Sequence, residues 1–322
     1  MPLTPPPTCH HAVIPFAACA GADWLPAMKT LPPAAFRNFS ELLRGMKLIH
    51  TDGGDERSLS LPHERVLASA LGLPVADGRI PWAAWQHLQG GGTTGGRAWA
   101  LVTPCHWAMG LDHAILTDPA ALDLQEQDSR ALLAAMQPYF ATEGITLHYA
   151  EPTRWLAEGE VFRTLPSASL DRVLGRNVQP WLPGTRQIRL LQNEMQMLLY
   201  THPVNDARAA RKQPGINSFW ISGTGALPDN FLPQPQPGIT LPRSLAQAAF
   251  YDNWSAYAQA WAALDAGEGA RLLALQQGGD TVRLTLCGER KALTFGTASH
   301  SFFTKLSRKI SPQPFVAVLE QL

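Results

Sequence analysis

The chain has 322 residues, enough for one large domain or two to three small ones. Its 26 Lys and Arg balance its 26 Asp and Glu, so the charge gives no sign of a general nucleic-acid-binding surface or an acidic-partner surface. A hydrophobic share of 45% is that of an ordinary globular protein, and 10 tryptophans with 27 prolines point to a rigid, loop-rich chain with aromatic anchors.

The cysteines fall at 9, 19, 105 and 287, with no CxxC spacing, which argues against a zinc ribbon or a redox dithiol. Reduced thiols in the cytoplasm are the expectation. The start, MPLTPPPTCHH, lacks the basic n-region and apolar core of a signal peptide. No run approaches the roughly 18 apolar residues of a membrane span.

In chain order, residues 12–16 read as an edge strand, 33–46 as a helix, and 60–71 as a capped helix. Trp82 and Trp85 share one helix face. Asp52-Gly53-Gly54-Asp55 reads as an acidic turn, because Asp-Gly pairs are ordinary turn chemistry. QGGGTTGG at 89–96 marks a boundary. Strands follow at 98–102, 114–116, 145–149 and 153–156, with an amphipathic helix over 125–140. The proline-rich stretch 229–242 marks a second boundary. Beyond it come a helix over 245–264, helix or strand at 270–275, a strand at 281–287, and a basic, aromatic segment at 302–310. The pattern gives an α/β (α+β) fold, a mixed sheet flanked by helices. It divides into a helical region 1–97, an α/β domain 98–230 and a C-terminal helix-and-strand region 231–322.

The chain is organised around 187–228. At a hundred degrees per residue, Ile188, Leu190, Leu191, Met195, Met197, Leu198 and Leu199 form one broad apolar arc with Glu194 in its middle. Glu194 is therefore expected to be a buried carboxylate paired with His202, Arg208 or an arginine of 172–189. Pro203 starts a short helix to Lys212. Residues 217–222 read as a strand beside that helix, and Gly223-Thr224-Gly225 as a glycine turn. Nine Lys and Arg between 154 and 212 suit carboxylate or phosphate, although salt bridges would occupy some of them. His202, Asn205, Arg208, Arg211 and Asn217, with Glu194 and the Gly223 and Gly225 backbone, make a candidate anion-binding pocket. The alternative is that these polar residues only cap the ends of elements.

The string H-P-V-N-x-x-R followed by P-x-N-S-x-W-x-x-G-x-G contains His202, Pro203, Val204, Asn205, Arg208, Pro214, Asn217, Gly223 and Gly225. It resembles a segment of the archaeal-type cofactor-independent phosphoglycerate mutases, and the order of elements over 98–228 resembles their inserted substrate domain. The chain as a whole resembles the bacterial RpfE-type regulatory proteins, often labelled phosphoglycerate mutase. The first resemblance implies two divalent metals, a Ser or Thr nucleophile and several Asp and His ligands. The C-terminal third offers only His300, and no strand-end Asp…Ser motif precedes 98. A further metal set, Cys9, His10, His11, Cys105, His106 and His113, lacks any closed zinc spacing. The expectation is a regulatory protein with no metal and no cofactor. It would bind a small anionic metabolite or a protein partner, and neither nucleic acid nor membrane. The alternatives are a metal-dependent mutase and a protein-interaction scaffold.

Overall fold

The computed structural model describes residues 9–232, 238–297 and 314–322. The basic segment 302–310 and His300 lie outside these. The described chain begins with β1 (Cys9–Ile14), α1 (Trp24–Lys29), α2 (Arg37–Arg44), β2 (Met46–Gly53) and α3 (Pro62–Ala70). Next come α4 (Trp82–Gln89), β3 (Ala98–Cys105), β4 (Trp107–Met109), β5 (Ala114–Leu116), α5 (Glu126–Thr142), β6 (Thr146–Glu151) and β7 (Arg154–Glu158). The single turn α6 (Leu170–Val173) leads to α7 (Arg186–Tyr200), α8 (Pro203–Ala210) and β8 (Ser218–Ala226). The last part holds β9 (Ile239–Thr240), α9 (Ser244–Phe250), α10 (Trp254–Leu264), α11 (Ala270–Gln277), β10 (Thr281–Cys287), β11 (Lys291–Thr297) and α12 (Phe315–Leu319).

The mixed α/β class read from the sequence is the class of the fold. The chain forms two compact units, one from Met1–Arg57, Pro62–Leu71 and Pro233–Leu322, the other from Ser58–Leu61 and Gly72–Leu232. Composition drew three consecutive pieces. In the structure, strands from the first and last pieces share one sheet.

That sheet, in the first unit, runs β2-β11-β10-β1-β9, with β1 parallel to both β10 and β9. β1 is therefore an interior strand, where an edge strand was expected. Ala12, Val13 and Ile14 are fully buried, as a strand covered on both faces requires. Asp52-Gly53 lies in β2, paired with β11, and not in a turn. Asp52 accepts from Arg65 at 2.6 Å. Phe36, Phe39, Trp261 and Phe315 pack ring against ring. The expected helix 245–264 is broken at 251–253. Between α10 and α11 a π-helical turn, Asp265–Gly269, turns the buried Asp265 carboxylate toward α2. There it accepts from the Asn38 and Phe39 backbone N–H groups at 3.1 and 2.8 Å, doing from far along the chain what a local N-cap would do.

The second unit holds the antiparallel sheet β6-β7-β3-β8 and the hairpin β4–β5. Its core joins Leu132, Met136 and Phe140 of α5, Ile188, Leu191, Met195 and Leu199 of α7, and Val102, Trp155 and Phe219 of the sheet. The expected helix beside the final strand is placed differently. α8 packs against α5, and it is α7 that lies against β8. Among the described residues no helix is long and apolar enough to cross a membrane.

Candidate functional site

The buried face of α7 is Ile188, Leu191, Gln192, Met195 and Leu199. These residues recur at i, i+3, i+4, i+7 and i+11, a narrow stripe. Glu194 sits about 120° from its centre by helix geometry and is exposed. It makes no ion pair among the described residues, so the expected buried carboxylate is corrected. The error was to count Leu190 and Met197 as core, which widened the arc until it enclosed Glu194. The buried polar residue is Gln192, whose amide donates to Phe219 O at 2.9 Å. Its place at i+4 from Ile188 is the signal that a narrower stripe would have caught.

The segment after α7 uses its polar side chains on backbone. His202 is the N-cap of α8, and its Nδ1 accepts from Val204 N–H at 3.2 Å. Pro203 follows at the first helical position, where a missing N–H costs nothing. Asn205 donates to Leu199 O and to Ile216 O, both at 2.8 Å, and accepts from Ile216 N–H at 2.7 Å. One amide thus satisfies a carbonyl at the end of α7 and pins the chain entering β8. Asn217 does the same to Trp107, accepting from its N–H at 2.7 Å and donating to its O at 2.9 Å.

Arg208 is fully buried. Its Nε donates to Pro214 O at 2.8 Å and its Nη2 to Leu122 O at 2.5 Å, while Nη1 is buried without an acceptor. Burial lowers its pKa from the ordinary arginine value, and nearby Asp128 pulls it back up. Arg211, one turn on, is half-exposed and donates to Asp128 and Gln213, each at 3.0 Å. Other arginines of 154–212 also have partners. Arg154 pairs with Glu151 and Arg163 with Glu160, and Arg172 lies over the Trp181 ring at 5.4 Å.

The glycine turn is instead a bulge inside β8, where Leu101 pairs with Ser222 and Trp99 with Gly225. Gly223 has φ +60°, and a Cβ there would come within 3.0 Å of Trp82 Cβ and 3.2 Å of Leu101 Cδ1. Gly225 has φ +138°, and a Cβ there would come within 3.1 Å of Pro81 Cβ. The Thr224 hydroxyl between them donates to Leu165 O at 2.6 Å. His202, Asn205, Arg208 and Arg211 therefore stand together around α8. Asn217 stands just before β8 and beside β4, and the two glycines lie roughly 20 Å further along the chain at the ordinary rise of a strand.

The proposed metal set is also divided. Cys9, His10 and His11 belong to β1 of the first unit, and Cys105, His106 and His113 to the second. His11 Nε2 bonds Thr285 Oγ1 at 2.8 Å, and burial with the nearby Arg283 charge lowers its pKa to about 4. Burial pushes the Cys105 thiol far up, which removes it as a nucleophile. His106 Nδ1 bonds Gly215 O at 2.8 Å, and His113 Nδ1 bonds Asp112 at 2.9 Å. Among the described residues no three His, Cys, Asp or Glu side chains gather to hold a metal ion.

Outside the expected residues, a cavity of about 210 Å³ in the first unit is lined by Ala18, Cys19, Ala20, Glu289, Arg290 and Leu322. Sequence reading missed it, because its walls lie some 270 positions apart.

A scan against protein-family models finds no match. A search of curated proteins finds none either. Among solved structures, the chain is similar to the PH0037 protein from Pyrococcus horikoshii, with TM-score 0.45 and 10% identity, covering 91% of this chain and 88% of that one. It is also similar to the cofactor-independent phosphoglycerate mutase from Thermoplasma acidophilum DSM 1728, with TM-score 0.35 and 11% identity, covering 98% of this chain and 100% of that one.

Proposed function

We propose that the protein is a non-catalytic binding protein without a mutase metal centre, and that it engages a partner protein through the outward face of α7. One observation carries this reading. Leu190, Met197 and Tyr200 are 49%, 77% and 85% exposed on one side of a helix whose inner side buries a glutamine. Large apolar side chains grouped on the exposed side of one helix mark a surface that a partner covers. Arg186 and Arg189 are exposed on the same helix, with Glu194 as its exposed acid, so the rim is net basic and suits an acidic-rimmed partner. The regulatory role is what the resemblance to RpfE-type proteins implies, and the cytoplasmic location rests on the cysteine spacing.

The test is a photo-crosslinking residue at position 197 in cells. The expected result is one discrete adduct, lost when Leu190→Asp is added at an unchanged melting temperature. Folded protein that gives no adduct, or an adduct indifferent to Leu190→Asp, overturns the reading. A phosphoglycerate mutase assay with added Mn²⁺ is expected to show no turnover, and turnover would establish the enzyme alternative.

A second reading, a small anionic metabolite at α8, has its own support in the buried Nη1 of Arg208 that lacks an acceptor. It requires 3-phosphoglycerate or inorganic phosphate to raise the melting temperature of the wild type and not that of Arg208→Lys.

A further inference from the structure

We propose that the outer edge of β2 pairs antiparallel with β2 of a second copy of this chain, joining two sheets across a twofold axis at His50. β2 is an end strand of the first unit's sheet and is eight residues long. Residues 47–51 are exposed, with Leu48 at 51% and Ile49 at 43%. An end strand presents a row of backbone N–H and C=O groups that can template another strand. The other end strands of the two larger sheets are handled differently. In the second unit Gln137 of α5 accepts from Leu147 N–H of β6 at 2.7 Å, and Gln192 of α7 donates to Phe219 O of β8. β9, at the far end of the first unit's sheet, is only two residues long. Among the described residues no side chain bonds the backbone of 47–51 in this way.

The strand's own sequence points to a second copy as the occupant. In a twofold antiparallel pair, residues that face each other lie on the same face of the sheet. Lys47 and Asp52 are five positions apart, which on a regular strand puts them on opposite faces. The register of β2 against β11 shifts at Ile49, because Leu48 pairs with Phe295 while His50 pairs with the adjacent Thr294. This bulge has room beside Gly296, where a Cβ would come within 3.0 Å of Ile49 Cδ1. It brings Lys47, His50 and Asp52 to one face, and Leu48 and Thr51 to the other. An axis through His50 then sets Lys47 opposite Asp52 of the second copy, Leu48 opposite Thr51, and His50 opposite its own counterpart. Each bulged Ile49 stands opposite a regular step of the other strand, as it does against β11. Opposite charges that face each other across two strands stabilise the pair, and the axis supplies this contact twice. Lys47 is exposed and in no ion pair among the described residues. Asp52 can accept it, because Arg65 donates to Oδ2, through Nε at 2.9 Å and Nη2 at 2.6 Å, and the carboxylate has a second oxygen.

Light scattering on a sizing column, across a concentration series, tests this. The wild type is expected at twice the chain's 35.1 kDa. Lys47→Glu sets like charges opposite each other at both ends of the pair, and is expected to return the mass to that of one chain while circular dichroism stays native. Oxidised His50→Cys is expected to give a dimer linked between the two introduced cysteines, located by mass spectrometry. Leu48→Cys is the control. Its two copies would stand two pair positions out of register, beyond the Cα separation of about 7 Å that a disulfide spans, and are expected to stay unlinked. A monomeric mass at every concentration overturns the proposal. So does a dimer that natively folded Lys47→Glu leaves intact, or one in which position 48 links and position 50 does not. A dimer broken instead by Leu190→Asp is made by α7, and also overturns it. The crosslink at position 197 is read on the other unit, so the two readings fail separately.

Discussion

The loop between α7 and β8 and the turn after β10 both present short polar side chains to backbone N–H groups. Asn205 and Asn217 each bond both a donor and an acceptor, and each closes a gap between two chain segments. Glu289 accepts the Ala20 N–H on the wall of an open cavity. An amide that mimics a peptide edge is used up by the backbone it bonds. Polar residues packed densely in sequence therefore mark a structural clasp in the first case, while the sparser set encloses space.

The largest effect that would break this contrast is at Arg208. If α8 is a clasp, Arg208→Ala removes two donors to buried carbonyls and leaves a void, at a cost of about 3–5 kcal/mol. Urea denaturation checks this. A loss under about 1 kcal/mol would mean the side chain is not holding Leu122 O and Pro214 O, and would return it to the ligand-site reading. Arg208→Lys is expected to recover little, because a single ammonium cannot span both carbonyls as the guanidinium fork does.

Next is His11, the buried polar group at the centre of the first unit's sheet. The unfolded chain takes up a proton near the usual 6.5, whereas the native chain does so only near pH 4. The contribution is thus complete above pH 6.5 and is lost as the pH falls toward 4, by about 3 kcal/mol across that window. Stability measured from pH 7 to 4 is expected to fall more steeply in the wild type than in His11→Gln. Equal slopes would show that this histidine titrates normally. The half-exposed His148 is shifted in the same direction by burial, with Glu158 opposing, and adds to the slope in both proteins.

Asn205→Ala and Asn217→Ala come third, at about 2 kcal/mol each, since each leaves buried backbone groups without partners. The two clasps hold neighbouring residues, Ile216 and Asn217, so their double mutant is expected to depart from additivity by roughly 0.5 kcal/mol or more. Strict additivity would show the two clasps acting independently.

Much of the fold could be read from alternation and periodicity. The strand at 281–287 and the helix near 126–140 carry their own pattern, because each has one face against a core. β1 was misread as an edge because its pairing partner lies more than 270 residues away. Gly223-Thr224-Gly225 was read as a turn because a bulge and a turn ask for the same positive φ. Only the nearby Trp82 and Pro81 distinguish them. In the candidate site, the residue types were legible and their targets were not. An asparagine that bonds backbone and one that bonds a ligand look alike until the backbone is placed.

The smallest expected effect belongs to Glu194, and it separates two readings of α7 most cleanly. A carboxylate in the apolar arc, paired with a buried arginine, would cost about 3–5 kcal/mol on removal, because a stranded charge stays behind. An exposed glutamate on the outer face costs at most about 0.5 kcal/mol, the range of ordinary surface changes. Helix geometry already favours the second, since Gln192 and Met195 are buried on either side in sequence while Leu190, Glu194 and Met197 are exposed. Glu194→Ala is therefore expected to leave the denaturation midpoint nearly unchanged, whereas Gln192→Ala, which strands Phe219 O, lowers stability by about 1–3 kcal/mol. The same pair bears on the proposed contact. Glu194 stands among Leu190, Met197 and Tyr200, so Glu194→Lys is expected to alter the crosslink yield at position 197 without moving the midpoint. A midpoint that drops with Glu194→Ala and holds with Gln192→Ala would mean that α7 turns its other side to the core, and the contact face would then have to be sought elsewhere.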